Sequence, residues 1–232
     1  MENAEEIPGL IALVGGNEFR RSCEPMDRAL LLRLGGKPRV VVVPTAAARE
    51  NPDVAARNGV NYFNELGAHS EAAMILDKET AQEPSLIAKI RKADLVYFTG
   101  GDPSYLLETM RNSLAWKAAL ETLERGRMLA GSSAGAMICG GQMWAPGIGW
   151  REGLGLVPHI AIIPHHATLG SHWNVGRIRT SLPDGVMLVG IDESTALLGP
   201  PWQVLGSGHV VLYSDQGRAI FTDGRAVPLQ GA

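Results

Sequence analysis

The sequence predicts an α/β protein built on an open, mainly parallel sheet wrapped by helices. Three observations lead there. Apolar runs of strand length recur through residues 10–131, and they are continuous rather than alternating, as expected of strands buried on both faces. A helix-length stretch follows most of them, and the runs tend to stop at small residues, Gly above all. In sheets of this class ligands bind beyond the carboxyl ends of the strands, so the residues just after each run are the candidate functional positions.

The elements follow in order. Leu10 to Val14 is the first strand, ending in Gly15-Gly16-Asn17-Glu18. That glycine pair lacks the spacing of a nucleotide-binding fingerprint. Met26 to Leu34 has helical spacing and stops at Gly35-Gly36. Val40 to Val43 is the second strand, Asp53 to Leu66 a helix stopped by Gly67, Ala72 to Leu76 the third strand and Pro84 to Lys92 the next helix. Leu95 to Phe98 is the fourth strand and leads into Thr99-Gly100-Gly101-Asp102, with Pro103 suited to the first turn of a helix over Ser104 to Arg111. A helix over Ala115 to Arg125 then precedes the fifth strand, Met128 to Gly131. Beyond it the texture changes. Gly140 to Gly155, rich in Gly and Trp, reads as irregular; His159 to Ile163 and Met187 to Ile191 read as strands, and Trp173 to Leu182 as a helix. From Ala196 onward, short runs between Gly and Asp-Gly turns read as antiparallel hairpins.

Bulk properties exclude several function classes. The 232 residues suffice for one α/β domain spanning 1–232. A net charge of −3 suggests neither a nucleic-acid nor a membrane-surface partner. No apolar run reaches the roughly 20 residues of a membrane span. The acidic Met1 to Glu6 is unlike a secretory signal, and Cys23 and Cys139 form neither metal-site spacing nor a disulfide framework. The expectation is a cytoplasmic protein without a metal or other cofactor.

The chemistry centres on Gly131-Ser132-Ser133-Ala134-Gly135, which fits G-x-S-x-G, the turn that lifts a serine off a strand and hands the chain to a helix. Small residues belong there because the serine is strained and bulk beside it meets backbone. Ser133 is the candidate nucleophile, with Ser132 the candidate if the register slips. A serine needs a base within hydrogen-bond reach. Of six histidines, His165 and His166 are best placed, since they follow an apolar strand at the edge expected for Ser133. A histidine base in turn wants a carboxylate. Glu152 is the acid between Ser133 and His165; Asp192 and Glu193 close a later strand, so the acid stays open.

These segments, with Pro164-His165, Arg177-Ile178-Arg179 and Gly190-Ile191-Asp192-Glu193-Ser194-Thr195-Ala196, occur in the order expected of the S51 serine peptidases, a family that includes aspartyl dipeptidase and cyanophycinase. The resemblance covers roughly residues 10–200. It implies a flavodoxin-like three-layer α/β/α fold, a Ser-His-acid mechanism on a small peptide substrate, no metal and, in many members, a homodimer. By position Ser133 resembles the nucleophile, His165 the base, and the N–H groups of Gly101 and Ala134 the oxyanion hole. Glu193 resembles the acid of cyanophycinase-type members, whereas the dipeptidase arrangement would use Glu152. Asp102, Arg177 and Arg179 are candidate substrate contacts, an Arg pair suiting an acidic, aspartyl-type peptide. Two departures, Pro103 for Gln and Ile163-Pro164-His165-His166 for D-Q-H-F, make cyanophycin itself an unsafe expectation.

Other readings remain at this stage. A serine esterase runs Ser, acid, His along the chain, which would enlist His209. An amidotransferase would use a cysteine, and Cys139 is expected inside the helix after the turn. A third reading is a binding module that keeps the fold without turnover.

Overall fold

Continuous apolar runs can be buried on both faces only if helices cover both sides of the sheet, and that is the arrangement found. The computed structural model describes residues 8–145, 147–169, 175–214 and 217–229; Met1 to Glu6, His172, Trp173 and Asn174 lie outside them. The strands are β1 (Leu10–Val14), β2 (Arg39–Val43), β3 (His69–Ala72), β4 (Leu95–Phe98), β5 (Met128–Ser132), β6 (Gly140–Ala145), β7 (Gly149–Glu152), β8 (Val157–Ile163), β9 (Met187–Ile191), β10 (Thr195–Gly199), β11 (Gln203–Gly206), β12 (Val210–Ser214) and β13 (Gly217–Phe221). The helices are α1 (Glu24–Leu34), α2 (Pro52–Glu65), α3 (Pro84–Lys92), α4 (Pro103–Met110), α5 (Leu114–Glu124), α6 (Ala134–Met137), α7 (His166–Leu169) and α8 (Val175–Thr180). Pro52, Pro84 and Pro103 each open a helix, where a missing N–H costs nothing.

The first sheet has the order β11-β10-β1-β5-β4-β2-β3, with β1 to β5 parallel and β10 and β11 antiparallel. Side chains alternate across it. Val14, Val42, Tyr97 and Ala130 pack with Leu30 of α1 and Phe63 of α2. Leu13, Val43, Phe98 and Leu129 face the core shared with α3, α4 and α5. The result is the expected α/β/α layering.

A second sheet was not expected. Its order is β13-β12-β9-β8-β6-β7, and its Ile162 and Val189 continue the core under α3 to α5. Its other face, with Ala161 and Leu188, packs on Ile178 of α8. Several sequence expectations change accordingly. The Gly140 to Gly155 stretch is the β6–β7 hairpin, whose Trp144 and Trp150 pair edge to face across the strands at 5.3 Å. Strands β8 and β9 belong to this sheet, not to the one carrying Ser133. The third strand lies earlier than expected, because the apolar Ala73 and Ile75 are buried past the ladder rather than within it. The helix after Ser133 is one turn long, and Cys139 lies beyond it. The two C-terminal hairpins end up in different sheets. Among the described residues no helix is long and apolar enough to cross a membrane.

Candidate active site

The turn after β5 is dictated by close packing. A Cβ on Gly131 would stand 2.3 Å from the carbonyl of Gly135, and one on Gly135 would stand 2.6 Å from the carbonyl of Phe98. Only glycine fits at either place. Between them Ser133 takes φ 50° and ψ −108°, a conformation that non-glycine residues hold only when the surroundings impose it. Its N–H donates to the carbonyl of Val14 at 2.9 Å, which pins the turn to the end of β1. The two serines then diverge. Ser132 is fully buried and donates to Glu18 Oε2 at 2.8 Å. Ser133 is partly exposed, with its Oγ 3.2 Å from His165 Nε2.

His165 comes from the second sheet, just past β8. Its backbone is left-handed at φ 48°, and its N–H donates to the carbonyl of Gly15 at 2.6 Å. The imidazole lies against Gly16, where a Cβ would come within 2.2 Å of the ring. Glu193 sits in the crossover from β9 to β10, its Oε1 3.5 Å from His165 Nδ1 and accepting also from the Thr168 hydroxyl. The site therefore straddles the seam between the sheets, and Gly15-Gly16 lies in that seam. The N–H of Ser194 donating to the Gly16 carbonyl at 3.1 Å closes it from the other side.

The remaining candidates divide clearly. Gly101 follows β4 and lines the same cleft as Ser133. Ala134 opens α6, so its N–H has no acceptor within the helix. Asp102 caps α4, accepting from the Tyr105 N–H at 3.0 Å. His166 does not reach Ser133; its Nδ1 lies 3.1 Å from Asp192 Oδ1 and its Nε2 2.7 Å from the Tyr213 hydroxyl. Asp192 is thus spent on His166, and also on His209, whose Nδ1 is 2.9 Å away. The histidine that meets the Ser133 hydroxyl is His165 rather than His209, so the Ser, acid, His order of an esterase is not the one formed. Glu152 is exposed and faces Arg111 at 3.9 Å, at the opposite end of α4 from Gly101. Arg179 donates to the carbonyl of Ser214 and borders a separate cleft with Pro183 and Tyr213; Arg177 is exposed on the same short helix. Cys139 is buried, which pushes its thiol up to about 12 and leaves no thiolate for an amidotransferase reaction.

The cleft in front of Ser133 has a volume of about 430 Å³, within the range of small-ligand sites. Glu18, Arg20, Glu50 and Asn58 border it with Gly101 and His165. Sequence reading passed over Glu18 and Arg20. The available signal was their position just past the first strand.

Comparison with known proteins gives the family and the fold. A crystallised peptidase from an acI-B1 actinobacterium is 31% identical and superposes with a TM-score of 0.85, covering 94% of this chain and 96% of that one. A putative peptidase E protein from Listeria monocytogenes has the same fold at 22% identity, with a TM-score of 0.64 over 88% of this chain and 97% of that one. Among curated proteins, an uncharacterised peptidase of Listeria monocytogenes is 33% identical over 99 residues, 43% of this chain and 47% of its own length. A cyanophycinase of Trichormus variabilis is 25% identical over 149 residues, 63% of this chain and 50% of its own. The chain spans about half the length of the curated relatives it matches. With the model of peptidase family S51 matching residues 10–199, from β1 through β10, the chain belongs to that family.

Proposed function

We propose that the protein is a serine peptidase that hydrolyses small peptides with an acidic residue at the cleaved bond. The observation that carries this reading is the Ser133 hydroxyl, raised on a left-handed turn, 3.2 Å from a histidine nitrogen and open to a cleft. In the proposed cycle Ser133 Oγ attacks the scissile carbonyl while His165 Nε2 takes its proton. His165 then delivers that proton to the leaving amine, and water attacks the acyl-enzyme with His165 again as base. Glu193 holds the Nδ1–H and stabilises the imidazolium. Its 3.5 Å separation is loose, as such contacts often are before substrate binds. The N–H groups of Gly101 and Ala134 receive the oxyanion.

The acidic preference is supported by Arg20, which borders the cleft and whose guanidinium matches a carboxylate. Arg177 and Arg179, the candidates from sequence for that role, stand on α8, where Arg179 borders the separate cleft with Tyr213. The experiment labels the protein with a phosphonyl fluoride, maps the adduct by mass spectrometry, and follows hydrolysis of paired Asp- and Ala-containing p-nitroanilides. Ser133→Ala is expected to lose the label and about 10⁴-fold or more in kcat, while Ser132→Ala keeps the label on Ser133. Arg20→Ala is expected to raise KM for the Asp substrate alone. Full activity in Ser133→Ala contradicts the nucleophile; equal turnover of both substrates by the parent contradicts the preference.

A further inference from the structure

The loop leaving β1 holds an acid that this mechanism does not use. Glu18 lies between Asn17 at φ 65° and Phe19 at φ 64°, two left-handed non-glycine residues. Such backbone persists only where its surroundings over-determine it. Here Cys23 Sγ donates to the Asn17 carbonyl at 3.0 Å, and the Phe19 ring packs on Tyr97 at 5.4 Å and Tyr62 at 5.8 Å. The outcome of the strain is direction. Glu18 Oε1 accepts from the N–H of Gly100 at 2.7 Å, and Oε2 accepts from the Ser132 hydroxyl at 2.8 Å. One carboxylate thereby ties the loop after β4 to the end of β5. Gly100 immediately precedes Gly101, and Ser132 stands two residues before Ala134, so each tie sits beside one of the two proposed oxyanion donors.

We propose that Glu18 is a positioning residue that sets the spacing of the Gly101 and Ala134 N–H groups; the inference rests on the reading of Ser133 as nucleophile. Donors to an oxyanion act only when held about 2.7–3.1 Å from where the charge develops. A separation fixed by one rigid clasp meets that demand without waiting for substrate. The clasp acts through Gly100 and Ser132, which separates it from a group that handles substrate directly.

The test compares Glu18→Gln and Glu18→Ala with the parent. It measures kcat and KM on the Asp p-nitroanilide, inhibition by the matching peptide aldehyde, whose hemiacetal oxygen occupies the oxyanion pocket, and active sites counted with the phosphonyl fluoride. Glu18→Gln keeps one acceptor and is expected to lower kcat per labelled site by about 10- to 100-fold, less than the 10²- to 10³-fold seen on deleting a donor outright. KM is expected to stay within threefold, and aldehyde affinity to fall in step with kcat/KM. Glu18→Ala is expected to fall further, so that Gln counts as a partial rescue; if the Ala variant does not fold, the Gln variant carries the test alone. A purely structural role would reduce the number of labelled sites and leave kcat per site intact. Unchanged kcat per site and aldehyde affinity in the folded Gln variant, or a loss confined to KM, overturns the proposal. A parent that is neither labelled at Ser133 nor active overturns the underlying reading, and this one with it.

Discussion

Past β8 and around the end of β9 stand two acid–histidine pairs made from consecutive residues of the same types. His165 Nδ1 meets Glu193 at 3.5 Å and its Nε2 meets the Ser133 hydroxyl at 3.2 Å. His166 Nδ1 meets Asp192 at 3.1 Å and its Nε2 meets the Tyr213 hydroxyl at 2.7 Å. The wiring is the same in both: carboxylate, imidazole, hydroxyl. The second set is the tighter, yet Tyr213 borders a different cleft from Ser133, and burial pushes its phenol up, so it keeps its proton. Ser133 opens onto the cleft that Gly101 lines, and Ala134 follows it at a helix start. Hydrogen-bond wiring by itself therefore does not mark a nucleophile; access and donors for the developing charge do.

The largest expected effect separates the two histidines. His165→Ala should lose about 10⁴-fold in kcat on the Asp p-nitroanilide, and His166→Ala less than about 10-fold. If the two losses are equal, the pairs are not functionally distinct. The acids come next. Glu193→Gln should cost up to about 10⁴-fold in kcat by leaving the imidazole in the wrong tautomer, while Asp192→Asn should act mainly on stability, lowering the unfolding free energy by about 1–3 kcal/mol in a denaturant titration. A large kcat loss in Glu152→Gln instead would place the acid in the dipeptidase arrangement.

A last test, read on stability alone, extends the comparison to an acid that has no histidine at all. Asp27 is fully buried and accepts from the Tyr62 hydroxyl at 2.8 Å, while its other oxygen has no partner among the described residues. Burial pushes its carboxyl up to about 7. The folded chain then holds a proton that the unfolded chain releases near pH 4, so stability should fall as pH rises from about 4 to 7 and level off above. Asp27→Asn should flatten that slope, by about 2–4 kcal/mol between pH 4 and 8. Equal slopes in urea titrations of parent and variant would contradict this.

Much of the fold was legible because its causes are local. The buried strands show as continuous apolar runs, and Gly131 is required by its contact with Gly135 within the turn itself. The second sheet was hidden for the opposite reason. Its Gly140–Ala145 strand opens on two glycines that lie against Ile160 and Pro158, partners about 20 residues away, and neither its period nor its composition announces a strand. At the site, residue types narrowed the acid to Asp192, Glu193 and Glu152, but which carboxylate meets which histidine depends on how two sheets abut. Glu18 escaped notice because an acid in a glycine-rich loop reads as turn chemistry; its partners, Gly100 and Ser132, arrive much later in the chain.

The seam between the sheets has a consequence for the chain as it is made. Ser133 is synthesised before His165 and Glu193, and N-terminal segments generally fold first. Until β8 and β9 have emerged and docked beside Gly15 and Gly16, the serine is an ordinary alcohol with no base in reach. On the reading of Ser133 as nucleophile, hydrolytic power waits for the second sheet to form.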